Sequence, residues 1–121
     1  MRIEHVNLTV ADVDRSVAFY RRLFDARERW RGTTSAGAPA VHVGSDDFYL
    51  ALFEGDPTPR SMDYEHVGFN HVGFVVSDFE ATLERVRALG AVVHHEADYE
   101  PGRRAYVMDP DGYEIELVTY D

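Results

Sequence analysis

The sequence predicts an α+β fold of two tandem βαβββ modules forming a curved, cup-shaped eight-stranded sheet with the helices outside. Three observations predict it. A strand-like segment recurs at a fixed offset of 66 residues. Each copy runs into an aspartate and an apolar pattern of helical period. Each helix is then followed by three short strand candidates.

The first copy of the repeat is His5-Val6-Asn7-Leu8-Thr9-Val10-Ala11-Asp12, and the second is His71-Val72-Gly73-Phe74-Val75-Val76-Ser77-Asp78. Val6, Leu8 and Val10 alternate with His5, Asn7 and Thr9, which is the period of a strand with one face on a core. Val72, Phe74 and Val76 alternate in the same way with His71, Gly73 and Val75. Asp12 and Asp78 are placed to cap helices. The first helix has an apolar face of Val13, Val17, Tyr20 and Phe24, and the second of Phe79, Leu83, Val86 and Gly90. Gly90 also reads as a helix stop.

The following strands are expected at Arg27–Thr34, Ala40–Gly44 and Phe48–Phe53, and again at Ala91–Ala97, Arg104–Met108 and Tyr113–Thr119. Turns are expected at Thr34-Ser35-Ala36-Gly37, Gly44-Ser45-Asp46-Asp47, Glu100-Pro101-Gly102 and Asp109-Pro110-Asp111-Gly112. A single domain over residues 1–121 follows. Module one ends at about residue 54, a connection rich in glycine and proline spans about 55–65, and module two begins at about 66. One copy alone would bury little core.

Composition narrows the chemistry. The chain has 121 residues, with 12 basic and 22 acidic side chains and a formal charge of −10. All its basic residues are arginine, and cysteine is absent. That removes disulfides, thiolate nucleophiles, cysteine-ligated metals, Schiff bases and a phosphate-loop lysine. The negative charge argues against nucleic acid as a partner. No apolar run approaches the ~20 residues that span a bilayer, and the N-terminus enters a strand pattern at once. No membrane association and a cytoplasmic location are expected.

His5 and His71 hold equivalent positions, facing away from the apolar side of their strands. In Tyr113-Glu114-Ile115-Glu116-Leu117, Ile115 and Leu117 face the core, so Glu114 and Glu116 face the cup. A carboxylate there is costly unless paired or metal-bound. Two imidazoles and a carboxylate make a facial triad that suits a divalent metal with open positions.

These motifs resemble the vicinal-oxygen-chelate superfamily of glyoxalases, bleomycin-resistance proteins, fosfomycin-resistance transferases and extradiol dioxygenases. The resemblance is carried by the His5–Asp12 segment, Ser16-Val17-Ala18-Phe19-Tyr20, Gly68-Phe69-Asn70-His71-Val72-Gly73-Phe74, and Asp109 through Leu117. It implies His5, His71 and Glu116 as metal ligands, with iron, manganese, zinc, nickel or cobalt equally compatible. It also implies Tyr106 as a catalytic tyrosine of dioxygenase type, ten residues before Glu116. The histidine such enzymes place about nine residues earlier is absent here: that position is Ala97, near His94 and His95. A homodimer is a further implication.

The departure from the family pattern lies in module one. Aligning Phe48–Phe53 on Tyr113–Val118 shifts the offset to 65 and sets Ala51 opposite Glu116. Glyoxalase I has a fourth ligand, Glu or Gln, there. Alanine neither binds metal nor moves a proton, so glyoxalase I itself is disfavoured. Asn7, Thr9, Tyr49, Phe53, His66 and Arg104 are candidate substrate-binding residues; Tyr49 and Phe53 would form an aromatic wall for a planar or apolar ligand. Trp30 is expected to be structural, and His94 and His95 to lie on a solvated strand edge. The leading expectation is a divalent-metal-dependent enzyme acting on a small oxygen-chelating substrate, as lyase, isomerase, transferase or dioxygenase. The alternative is a bleomycin-resistance-type protein that sequesters a cationic or aromatic drug without catalysis, which the charge of −10 favours.

Overall fold

The computed structural model describes residues 1–58, 60, 62–99 and 102–120. The chain divides into two compact units, Met1–Thr58 and Pro59–Asp121. All eight expected strands and both helices are present. The first unit holds β1 (His5–Val10), α1 (Val13–Phe24), β2 (Arg27–Thr33), β3 (Pro39–Gly44) and β4 (Tyr49–Glu54). The second holds β5 (His71–Val75), α2 (Phe79–Ala88), β6 (Val93–Tyr99), β7 (Gly102–Met108) and β8 (Glu114–Thr119).

Each unit forms its own four-stranded sheet, ordered β1-β4-β3-β2 in one and β5-β8-β7-β6 in the other. In both, the first and last strands of the module pair in parallel, and the remaining pairs are antiparallel. The helix that follows the first strand makes this parallel pairing feasible, because parallel strands need a long crossover.

The expected alternation decides which face of each sheet is covered. Leu8, Val10, Val41, Val43, Leu50 and Leu52 are buried in the first unit, with Tyr20 and Leu23 of α1. Ala105, Val107, Ile115 and Leu117 are buried in the second, as are Leu83 and Val86 of α2. The buried stripe of α1 differs from the expected one at its end. Leu23 is fully buried and Phe24 only half-buried. Spacings of three and four are both one helical turn, and the last turn settles on Leu23.

Asp12 accepts a hydrogen bond from the Arg15 backbone N–H at 3.1 Å, and Asp78 from that of Ala81 at 3.0 Å. Both are therefore helix caps as expected. Asp12→Ala is expected to lower unfolding stability by about 1 kcal/mol, read as a shift in the urea midpoint at unchanged slope. Gly90 lies past the end of α2 at φ 70°, and its N–H donates to the Arg87 carbonyl at 3.0 Å. It acts as the stop and not as part of the apolar face, because the left-handed conformation suits a residue without Cβ.

The turn at Thr34–Gly37 is closed by the Gly37 N–H on the Thr34 carbonyl, and that at Asp109–Gly112 by the Gly112 N–H on the Asp109 carbonyl. In the expected turn at 100–102, Glu100 and Pro101 lie outside the described residues, and Gly102 begins β7. Strand β6 begins two residues later than expected, at Val93. Among the described residues no helix is long and apolar enough to cross a membrane.

Candidate functional site

The registers of the two sheets give an internal equivalence that the offset alone does not. In module two, β8 lies beside β5 with Glu114 opposite His71 and Glu116 opposite Gly73. In module one, β4 lies beside β1 with Tyr49 opposite His5 and Ala51 opposite Asn7. Tyr49 thus holds the place of Glu114, and Ala51 that of Glu116. The third strand extends the correspondence: Tyr106 pairs with Glu116, and His42 pairs with Ala51.

Module two carries the polar half. His71, Glu114 and Glu116 share the face opposite the buried Ile115 and Leu117. The Asn70 amide orients the ring of His71. Its Nδ2 donates to the Asp63 carbonyl at 3.4 Å, which turns Oδ1 toward His71 Nδ1. An amide oxygen only accepts, so in the neutral ring the proton belongs on Nδ1 and the lone pair on Nε2. That Nε2 lies 3.6 Å from Glu116 Oε1. Two atoms that both sit about 2.1 Å from one ion can be at most about 4.2 Å apart, so this pair fits a shared divalent metal. Among the described residues, no three His, Asp or Glu side chains of one module form a metal-binding group. Module two therefore offers a pair of ligands, not a triad.

The surrounding groups are polar and already engaged. Arg104 Nη1 lies 3.6 Å from Glu116 Oε2. Glu114 accepts from Tyr64 through a short hydrogen bond and lies 3.1 Å from His94 Nε2. The Tyr64 phenol is pushed up to about 12, first by its hydrogen bond to the Glu114 carboxylate and then by burial. It stays protonated, and so remains a donor, throughout the neutral range. Tyr106 stands edge-on to His71 with ring centroids 5.7 Å apart, and 6.2 and 5.8 Å from His94 and His95. His94 and His95 are exposed on the edge strand β6, as expected, and the His94 ring in addition reaches Glu114. Tyr64, Asn70 and Glu114 complete this cluster and were not among the expected site residues. Their signal was present for Glu114 alone, from strand alternation. Tyr64 acts from a loop that periodicity does not read, and Asn70 through a side-chain amide that strand alternation does not read.

Module one carries the aromatic half. His5 stacks on Tyr49 at 4.9 Å, and Tyr49 stacks on His42 at 4.5 Å. Glu4 accepts from the Tyr49 hydroxyl at 3.1 Å and lies 2.9 Å from His5 Nδ1. Those two hydrogen bonds lower the Glu4 carboxyl below its ordinary range, that from His5 being the larger cause. The His42 imidazolium is disfavoured first by burial and then by the nearby His5 and Arg29 charges. Asn7 Nδ2 donates to the Ala51 carbonyl at 2.8 Å, which ties β1 to β4 at the alanine position. The Thr9 methyl packs where a Cβ on Gly55 would stand. Phe53 is half-buried beside Thr9 and Ala40. His66 lies outside this grouping, 83% exposed and 3.0 Å from Asp63. Trp30, expected to be structural, is 47% exposed and lies 4.8 Å from His42.

A family model described as Glyoxalase/Bleomycin resistance protein/Dioxygenase superfamily matches residues 2–117. The lactoylglutathione lyase of Haemophilus influenzae is 35% identical over 124 residues, covering 98% of this chain and 92% of that protein. The metallothiol transferase FosB of Lysinibacillus sphaericus is 26% identical over 121 residues, covering 97% and 81%. Among solved structures, the glyoxylase/bleomycin resistance protein/dioxygenase domain from Frankia sp. EAN1pec matches with a TM-score of 0.84 at 25% identity, covering 100% and 93%.

Proposed function

Because this chain belongs to the Glyoxalase/Bleomycin resistance protein/Dioxygenase superfamily, we propose that it is a divalent-metal-dependent enzyme acting on a small oxygen-chelating substrate, with His5, His71 and Glu116 as the metal ligands. The observation that carries this reading is the pair in module two: a histidine whose Nε2 lone pair is kept free by Asn70, 3.6 Å from a carboxylate oxygen. A bound divalent ion would supply Lewis acidity and hold two substrate oxygens in its open positions.

The chain's own residues then have separate roles. Asn70 fixes the tautomer of His71, as partners outside the metal's own ligands do for metal-binding imidazoles. Arg104 holds one oxygen of Glu116 and leaves the other for the ion. Tyr106, opposite Glu116 in the sheet, is placed to donate a hydrogen bond to substrate oxygen. Asn7, Thr9, Tyr49 and Phe53 line the face of module one that carries His5, and His66 stands at the end of the connection.

Against the 35% identity to a lactoylglutathione lyase stands Ala51, which disfavours that reaction here. The strand registers support placing Ala51 where a fourth carboxylate would act as base, so we infer that glyoxalase I itself is disfavoured, with lyase, isomerase, transferase and dioxygenase chemistry otherwise open. Sequestration of a cationic drug rests on the net charge of −10. It is disfavoured because Glu114 and Glu116 already face Tyr64, His94, His71 and Arg104. A homodimer and a cytoplasmic location accompany the proposal.

Protein purified without added metal or chelator is expected to carry close to one divalent ion per site by elemental analysis. Metal-free protein should regain it from manganese, iron(II), cobalt, nickel or zinc. Wild-type protein that holds none and takes up none of these ions in calorimetry would end the enzyme reading. Binding of a cationic aromatic drug to that metal-free protein would then establish sequestration.

A further inference from the structure

We propose that Glu4 is the positioning residue for His5. Its carboxylate holds the imidazole in the tautomer that leaves Nε2 open to a divalent ion, and its charge makes His5 the stronger donor of the two histidines. This rests on His5 as a metal ligand. His5 Nδ1 donates to Glu4 Oε1 at 2.9 Å. An ionised carboxylate only accepts, so in the neutral ring the proton belongs on Nδ1 and the lone pair on Nε2.

Glu4 is itself held. Tyr49 is the register partner of His5 on β4, and it grips Glu4 twice. Its hydroxyl donates to the same Oε1 at 3.1 Å, and its backbone N–H donates to the Glu4 carbonyl at 3.1 Å. The Tyr49 ring also stacks on the His5 ring at 4.9 Å, 18° from parallel. The imidazole is thus fixed at its edge by Glu4 and on one face by Tyr49. Ordering a glutamate costs side-chain entropy, and two donors converging on one oxygen offset it.

Module two repeats the device with different chemistry. Asn70 stands one residue before His71, as Glu4 does before His5, at the same offset of 66. Both lie immediately before the first residue of their strand, β5 and β1. Outside the strand, alternation does not force neighbours to opposite faces, so each side chain turns back onto the ring that follows it. The two acceptors differ in charge, since the Asn70 oxygen is neutral and the Glu4 carboxylate ionised. Charge-assisted hydrogen bonds are roughly twice as strong as neutral ones, and a carboxylate behind a metal-binding imidazole raises its basicity. The charge also compensates module one, which has Ala51 where module two has the Glu116 carboxylate.

Three variants separate charge, acceptor and support. Glu4→Gln keeps an acceptor and drops the charge, Glu4→Ala drops both, and Tyr49→Phe keeps the stacked ring but releases Glu4. Calorimetric titration of the metal-free proteins with zinc is expected to show affinity lowered by about threefold in Tyr49→Phe. The loss should be about tenfold in Glu4→Gln and up to about 100-fold in Glu4→Ala. Nitrogen-15 NMR of the histidine rings in metal-free protein, at mildly alkaline pH, gives a second readout. The His5 ring, assigned by its loss in His5→Ala, should be the Nδ1–H tautomer in wild type and Glu4→Gln. It should shift toward Nε2–H in Glu4→Ala. Thermal unfolding of the metal-free protein should not move, because Glu4 is exposed.

If Glu4→Ala keeps wild-type zinc affinity while His5→Ala loses it, the positioning role is overturned and the metal reading stands. A fall in affinity with the His5 tautomer unchanged overturns it too, since Glu4 would then act through its charge alone. If His5→Ala binds zinc as tightly as wild type, His5 is not a ligand, and the role of Glu4 falls with that assignment.

Discussion

His71→Ala is expected to weaken divalent-metal binding by at least about 100-fold, and to abolish turnover with it. Loss of a partner outside the ligand set costs about 10–100-fold in comparable sites, and loss of a ligand should cost no less. The histidine is half-buried and its replacement leaves the buried strand face of Ile115 and Leu117 untouched, so the fold should survive. Asn70→Ala provides the graded control. It removes the acceptor that holds the proton on Nδ1, so binding should fall by about tenfold while the ligand itself remains. Calorimetric titration of metal-free proteins with manganese or zinc reads both. If His71→Ala retains wild-type affinity, the module-two pair is not a metal site, whatever the effect on activity.

The parts of the molecule that the sequence made legible are those governed by simple periods. Alternation in β1 and β5 placed His5 and His71 on the face opposite the core, and alternation in β8 placed Glu116. Helical spacing after Asp12 and Asp78 located both helices. These features depend on local geometry and on which side chains must leave water, and both are written along the chain.

Trp30 shows where that reading stops. Strand β2 is exposed along most of its length and has no apolar alternation to count. Its pairing with β3 also shifts between Glu28 and Trp30, the signature of a bulge. One extra residue reverses the face of everything beyond it, so a count from the strand's start does not give the face of the indole. The same irregularity recurs in β6 between Val93 and His95, on an edge strand where both histidines are exposed as expected. The later start of β6 has a related cause. The Ala91 N–H is spent on the Val86 carbonyl in closing α2, and the first bond from β7 reaches the Val92 carbonyl. Tyr64 and Asn70 were missed for a different reason: Tyr64 reaches Glu114 from the connection, whose spacing encodes no such contact, and Asn70 acts on its chain neighbour His71 through a side-chain amide that strand alternation does not read.

Position 51 gives the sharpest test of what the internal equivalence means. Ala51 is 4% exposed, pairs with Asn7 and His42, and holds the register place of Glu116. Introducing a carboxylate there has two opposed consequences. Without metal, Ala51→Glu adds bulk to a filled position and buries a charge with no cation, which together cost about 2–4 kcal/mol. Thermal unfolding in EDTA should therefore fall by several degrees, up to about 15 °C. With a divalent ion bound through His5, the same carboxylate becomes a fourth ligand. Saturating metal at about 100 times Kd adds roughly 2.7 kcal/mol to any protein that binds it in the folded state, and the variant should gain more than wild type because its cost is relieved as well. The expected result is a metal-induced rise in Tm larger in Ala51→Glu than in wild type. Lactoylglutathione lyase activity should also emerge from background, since the variant supplies the missing base. Equal metal-induced shifts in the two proteins would show that residue 51 does not face the ion. The alanine would then say nothing about which reaction this chain catalyses.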